Sequence, residues 1–145
     1  MVGTFLDLRS SMNSSRTGFP NVPLTTTPAL FGVIGLQTGN VVNKVITLNG
    51  TVGISDPVVG NTFTIQVLRG TTTYNAANVI YTATLGVRVS LFGDLYSFSA
   101  QDLLAPAAAE TIYSAFIFGG PLIVLSGVRS GPEVFWGIAS HSAPG

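Results

Sequence analysis

Between Asn61 and Leu68 the side chains alternate. Phe63, Ile65 and Val67 fall on one side of an extended backbone, and Thr62, Thr64 and Gln66 on the other. Successive residues of a strand point to opposite faces, so this segment predicts a strand with one dry and one wet face. Most of the remaining chain reads as short runs rich in Val, Ile, Phe and Tyr, cut by Gly, Asn, Pro and Asp. That is the pattern of an antiparallel all-β domain. Strands are predicted at Leu30–Gln37, Val41–Leu48, Thr51–Ser55, Asn61–Leu68, Val79–Leu85, Arg88–Phe92, Leu95–Ser99, Thr111–Phe118, Leu122–Val128 and Glu133–Ser140. Asn49-Gly50 falls between two of them and reads as a hairpin turn.

Several of these strands lack a polar side. Ile112, Phe116 and Phe118 share one face of their segment, and Tyr113, Ala115 and Ile117 the other. Leu122 to Leu125 and Val134 to Ile138 are also apolar on both sides. In a sandwich only one face of each sheet meets the core, so the second apolar face is expected to meet another subunit. Tyr113, Phe116, Phe118, Leu122, Val124 and Phe135 are the candidate interface residues. The only helical candidate is Ser99 to Glu110. Pro106 cuts it, so the segment is read as a loop with at most a turn of helix.

Residues 1–29 differ from the rest. A short apolar tip, Val2, Phe5, Leu6 and Leu8, precedes a Ser-rich stretch and then Phe19-Pro20-Asn21-Val22-Pro23. Serine loosens a chain and proline extends it, so this part is predicted to be an extended N-terminal connector arm with a sticky tip. Residues 30–145 form the predicted head domain. Asp7 and Arg9 interrupt the early apolar stretch, so no secretory signal is predicted.

Composition then narrows the function classes. The 145 residues suffice for one domain, and 46% are hydrophobic, enough to build a core. Only six basic and six acidic side chains are present, 8% of the chain. That is too little positive charge for a row of phosphates, so neither nucleic acid nor a membrane surface is an expected partner. The uncharged run from Thr111 to Val128 has nearly the length of a spanning helix, but Gly119-Gly120-Pro121 breaks it into two strand-forming halves.

The residues of catalysis are sparse. No cysteine is present, and the lone histidine, His141, lies in a Ser-rich C-terminal tail without convergent partners. Asp94 and Asp102 read as turn residues at strand ends, not as a catalytic carboxylate pair. No phosphate loop or nucleophile elbow occurs. The chain is therefore read as a non-enzyme without a cofactor or metal, whose chemistry is its surface. Lys44 is the only lysine, so predicted edge strands lack their usual guard against added strands.

Five stretches then carry a resemblance. They are Leu48-Asn49-Gly50-Thr51-Val52-Gly53-Ile54, Phe63-Thr64-Ile65-Gln66-Val67-Leu68-Arg69-Gly70, Tyr96-Ser97-Phe98-Ser99-Ala100-Gln101-Asp102, Tyr113-Ser114-Ala115-Phe116, and Gly131-Pro132-Glu133-Val134-Phe135-Trp136-Gly137-Ile138-Ala139. In order and strand chemistry these resemble the spore-surface fibre proteins of bacilli. Those exosporium and endospore-appendage subunits have heads similar to the trimeric jelly rolls of tumour necrosis factor and the complement globular head. The likeness covers about Leu30 to Ala139. It implies an antiparallel jelly-roll β-sandwich that forms a homotrimer, with N-terminal connectors linking trimers into a filament on the spore surface. Other spore-surface proteins would then meet the fibre at its base or tip. No Gly-X-Y stalk is present and no cysteine, so the subunit would be a repeating one with noncovalent links. A virus or phage fibre or decoration protein is the alternative, and a carbohydrate-binding module the third reading.

Overall fold

The computed structural model describes residues 2–120 and 126–143. The strands are β1 (Val2–Ser14), β2 (Val22–Pro23), β3 (Ala29–Gln37), β4 (Lys44–Asp56), β5 (Thr62–Arg69), β6 (Val79–Gly86), β7 (Ser90–Asp102), β8 (Glu110–Gly119) and β9 (Val128–Ala143). One sheet has the order β1-β9-β4-β7, with β2 also on β9, and the other β3-β8-β5-β6. The pairs β1 with β9, β3 with β8, β4 with β7 and β5 with β6 are all antiparallel. The chain is thus a long ribbon folded back on itself and rolled so that its pairs are shared between two facing sheets. This is the jelly roll.

Alternation fills the space between the sheets. Along β4, Ile46, Leu48, Val52 and Ile54 are fully buried, while Val45, Thr47, Asn49 and Thr51 on the other face are half-buried. Phe63, Ile65 and Val67 of β5 meet them from the opposite sheet, as their alternation predicts. Phe98 joins the layers, stacking on Phe135 at 6.3 Å and meeting Phe31 edge-on at 6.2 Å.

Three predicted boundaries are corrected. Asn49-Gly50 is no hairpin turn. β4 runs through it, with Asn49 paired to Ser99 on one side and Trp136 on the other. The glycine serves close packing, since a Cβ at Gly50 would stand 2.4 Å from the Phe98 ring. The two strands predicted at Arg88–Phe92 and Leu95–Ser99 form one strand, β7, with a bulge at Gly93. β9 begins at Val128 and takes in His141, whose Nδ1 lies 2.8 Å from the Val42 carbonyl. Residues 121–125 of the predicted strand Leu122–Val128 lie outside the described residues. The segment 103–109 is irregular without a helical turn, and a 3-10 turn occurs instead at Ala76–Asn78, capped by the Asn75 side chain.

The N-terminal segment also departs from expectation. β1 is zipped along β9 of its own chain from Val2 opposite Ala143 to Ser14 opposite Glu133. Residues 15–28 are tied as well. The amides of Gly18, Asn21 and Leu24 donate to the carbonyls of Ser130, Arg129 and Gly127, and Leu24 is buried in the core. Two side chains of β1 reach the opposite sheet. Asp7 accepts from the Gln37 amide at 2.8 Å and Ser11 from the Val33 amide at 3.2 Å, which closes that flank of the sandwich. Backbone pairing and the packing of Leu6 and Leu24 tie this segment to the sheets.

Candidate interaction surface

The outward faces of the two sheets differ in chemistry. On β3-β8-β5-β6 the β5 and β6 positions are Thr64, Gln66, Thr82 and Thr84, joined by hydrogen bonds between Thr64 and Thr84 and between Gln66 and Thr82. Phe116 faces outward beside Gln66 but is roofed by its own chain. The Tyr74 ring meets it edge-on at 5.4 Å, and the Tyr74 hydroxyl donates to Gln66 Oε1 at 2.7 Å. Phe118, half-buried beside Thr64, and Leu30, 43% exposed opposite Phe116, keep open sides on this face.

The outward face of β1-β9-β4-β7 reads, rank by rank across the sheet, as follows. Phe5, Ser140 and Val45 form one rank, and Leu8, Ile138, Thr47 and Gln101 the next. Ser10, Trp136, Asn49 and Ser99 follow, then Met12, Val134, Thr51 and Ser97, with Leu95 of β7 beyond. No Asp, Glu, Lys or Arg stands in these ranks. Phe5 and Met12 are each 64% exposed, Leu95 57% and Leu8 50%. The charges of β1 are turned the other way, with Asp7 opposite Ala139 and Arg9 opposite Gly137, and the two pair at 2.9 Å. Its uncharged ranks expose Phe5, Leu8, Met12 and Leu95 among Ser, Thr, Asn and Gln side chains, which makes this face the candidate contact surface.

The predicted site residues distribute unevenly over this picture. Phe5 and Leu8 of the connector tip stand on the uncharged face, Leu6 packs against the core, and the backbone of Val2 starts β1. Tyr113 and Phe135 are corrected as interface candidates, since both are fully buried between the sheets of one chain. Phe116 is corrected too, being 3% exposed under Tyr74. Leu122 and Val124 lie outside the described residues. The residues sequence reasoning missed are Met12, Val45, Val134, Trp136 and Ile138 as one surface. A bulge between Phe5 and Asp7 hid their link to β1, because it breaks period two and puts Phe5 and Leu8 on the same face.

The ionisable groups are committed to structure. Asp102, at the end of β7, takes both bonds from Arg69 Nη1 at 2.8 Å and the Tyr113 hydroxyl at 2.7 Å. Burial, with Asp102 beside it, pushes the Tyr113 hydroxyl far above the usual phenol range. Arg129 grips the fully buried Glu133 through two bonds, and Asn13 of β1 adds a third at 2.7 Å. Asp94 pairs with Arg88 at 2.8 Å. Among the described residues no three His, Asp or Glu side chains converge as metal ligands.

No family model matches the sequence, and no curated protein matches it. Among solved structures, Eiger TNF from S. frugiperda is similar with a TM-score of 0.49 and 9% identity, over 95% of this chain and 94% of that one. The VP2 subviral particle of infectious bursal disease virus gives 0.46 and 11%, over 96% of this chain and 38% of that one. The PRD1 vertex protein gives 0.42 and 11%, over 94% and 73%. The fold assignment stands on strand order and register.

Proposed function

We propose that the chain is a structural subunit that associates with its own copies through the outward face of β1-β9-β4-β7, as a homotrimer that builds a noncovalent fibre on the spore surface. The observation that supports this reading is the uncharged face itself. Burying one of its large apolar side chains contributes roughly 1.5–3 kcal/mol, and a cyclic assembly repeats every contact around its axis. A charged side chain left in such a contact would oppose it, and the face carries none. The number three and the spore surface come from the resemblance of the strand stretches to trimeric spore-fibre heads. A virus or phage fibre would use the same surface, and labelling intact spores with antibody against the purified protein separates the two settings.

One feature of the face favours a second reading. Trp136 stands between Ser10 and Asn49 in its rank, an aromatic plate with polar neighbours on which a sugar ring could stack. Sedimentation distinguishes the readings. Wild type is expected as trimers and multiples of them, and Trp136→Glu or Leu8→Glu as a folded protein that no longer forms the trimer. A monomeric wild type whose glycan binding depends on Trp136 would replace the structural reading with the carbohydrate one.

A further inference from the structure

Apart from the sheet face, exposed apolar side chains collect at the two opposite ends of the sandwich. The first cluster is produced by a bulge. The register of β7 on β4 jumps from Asp94 opposite Ile54 to Ser90 opposite Asp56, so Leu91, Phe92 and Gly93 answer to Ser55 alone. Gly93 has φ +103, and a Cβ on it would stand 2.5 Å from Ser130 Oγ, so glycine is required there. Its amide donates to Ser90 Oγ at 3.0 Å and fixes the loop. The result is that Leu91 and Phe92 are held out at 75% and 85% exposure.

Beside them the β4–β5 connection presents Val58 and Val59, and the β6–β7 connection Val89. The Val87 amide ties these connections together through the Asn61 carbonyl. Asp56, fully buried, accepts from the Val58 amide, Asn61 Nδ2 and Ser126 Oγ at 2.9, 2.6 and 2.8 Å. The exposed apolar groups thus sit on a braced platform, and little ordering entropy remains for a partner to offset.

At the other end the β3–β4 and β7–β8 connections are joined by the Gly39 amide on the Ala109 carbonyl and the Lys44 ammonium on the Pro106 carbonyl. They present Val42, Leu103 and Leu104, the last 83% exposed, with its amide held by Asp102 Oδ1. β4 and β7 run from one cluster to the other, and at about 3.3 Å per residue their 13 residues put the clusters roughly 40 Å apart.

We propose that these ends are the two halves of a head-to-tail contact, in which the Leu91–Phe92 cluster of one copy seats on the Leu103–Leu104 cluster of the next. The proposal rests on the reading of the chain as a self-associating subunit and supplies the axial contact to the lateral one. Two observations select a second copy as the occupant. Every copy carries one cluster at each end, so a head-to-tail contact covers both, whereas a lipid surface or a single ligand covers one. A lipid surface also favours free cations near the apolar groups. Arg88 is instead bound to Asp94 and to the Leu95 carbonyl, and residues 103–109 contain no Lys or Arg. Leu95 connects the bulge with the uncharged face, so the two contact surfaces are continuous. A heterologous contact of this kind does not close on itself and propagates along the strands as a filament.

Complementation tests it. Phe92→Asp and Leu104→Asp each change a side chain that is more than four-fifths exposed, so both variants should keep the wild-type near-ultraviolet circular dichroism. Wild type should form filaments in negative stain, and either variant alone only the laterally associated oligomer. Mixed in equal amounts, the variants still hold one intact half-contact each, and should give a species of twice that oligomer's mass. Filaments in the Phe92→Asp, Leu104→Asp double variant would overturn the proposal. So would a wild type that does not elongate, a mixture without the doubled species, or wild-type binding to phosphatidylcholine vesicles that Phe92→Asp abolishes. Trp136→Glu reports the lateral contact separately. It should thin the filaments to single-chain width if only that contact fails.

Discussion

Phe116 and Trp136 show how one residue's neighbours decide its role. Both are large aromatics in strands apolar on both sides, yet Phe116 is roofed by Tyr74 while Trp136 stands half-buried on the open face. Phe116→Ala is therefore expected to cost about 3 kcal/mol of folding stability by denaturant titration, leaving the association of the folded protein unchanged. Trp136→Glu should do the reverse. Acid supplies another residue-scale expectation. The Gln37 amide and Arg9 hold the Asp7 carboxyl below its ordinary value of 3.8. Burial pushes the Asp56 carboxyl up, but hydrogen bonds from Asn61, Val58 and Ser126 outweigh it and leave that group below 3.8 as well. Groups whose folded values are lowered contribute stability above the unfolded value and lose it as pH falls through the folded one. The melting temperature should accordingly drop below about pH 4, and Asp7→Asn should remove part of that drop. A melting temperature flat down to pH 2 would contradict both assignments.

At the scale of elements, β1 links the uncharged face to the opposite sheet. It carries Phe5, Leu8 and Met12 onto the contact face, and Asp7 and Ser11 clasp β3. A free arm exchanges its amide hydrogens at random-coil rates, whereas the amides paired with β9 should be protected. Hydrogen exchange of the soluble protein is expected to show slow amides within residues 2–14. Random-coil exchange there would restore the detachable connector. Deleting Met1 to Ser15 is likewise expected to destabilise the head, since it uncovers one whole side of β9 and leaves its long edge open to unwanted pairing.

For the molecule as a whole, the small number of charges sets the response to salt. Six cations and six anions cancel, Arg9 is paired with Asp7 and Arg88 with Asp94, and the buried Lys44 ammonium is held by the Pro106 carbonyl. Screening therefore has little to weaken. Assembly should persist as ionic strength rises toward about 1 M, where the screening length is only about 3 Å, and dissociation there would show that ion pairs hold the copies together. Mild denaturant should separate them first, because it acts on apolar burial.

The sequence alone determined the all-β class, the strands whose alternation is local, and the presence of more apolar surface than one sandwich hides. Phe63, Ile65 and Val67 against Thr62, Thr64 and Gln66 needed no partner to be read, because period two is a property of the extended backbone. The five-stretch resemblance also pointed to the jelly roll, which the strand order bears out. Tertiary structure alone decided which apolar face stays open. Asn49-Gly50 reads locally as a turn, and only the Phe98 ring above Gly50 shows why a strand keeps that glycine. The bulge after Phe5 shifts the period of β1, and the Tyr74 roof comes from a loop 42 positions before Phe116 in the chain. Pairing with a distant strand, and cover by a distant ring, leave no periodic trace in the segments that receive them, so the core and the contact face separate only once the chain is folded.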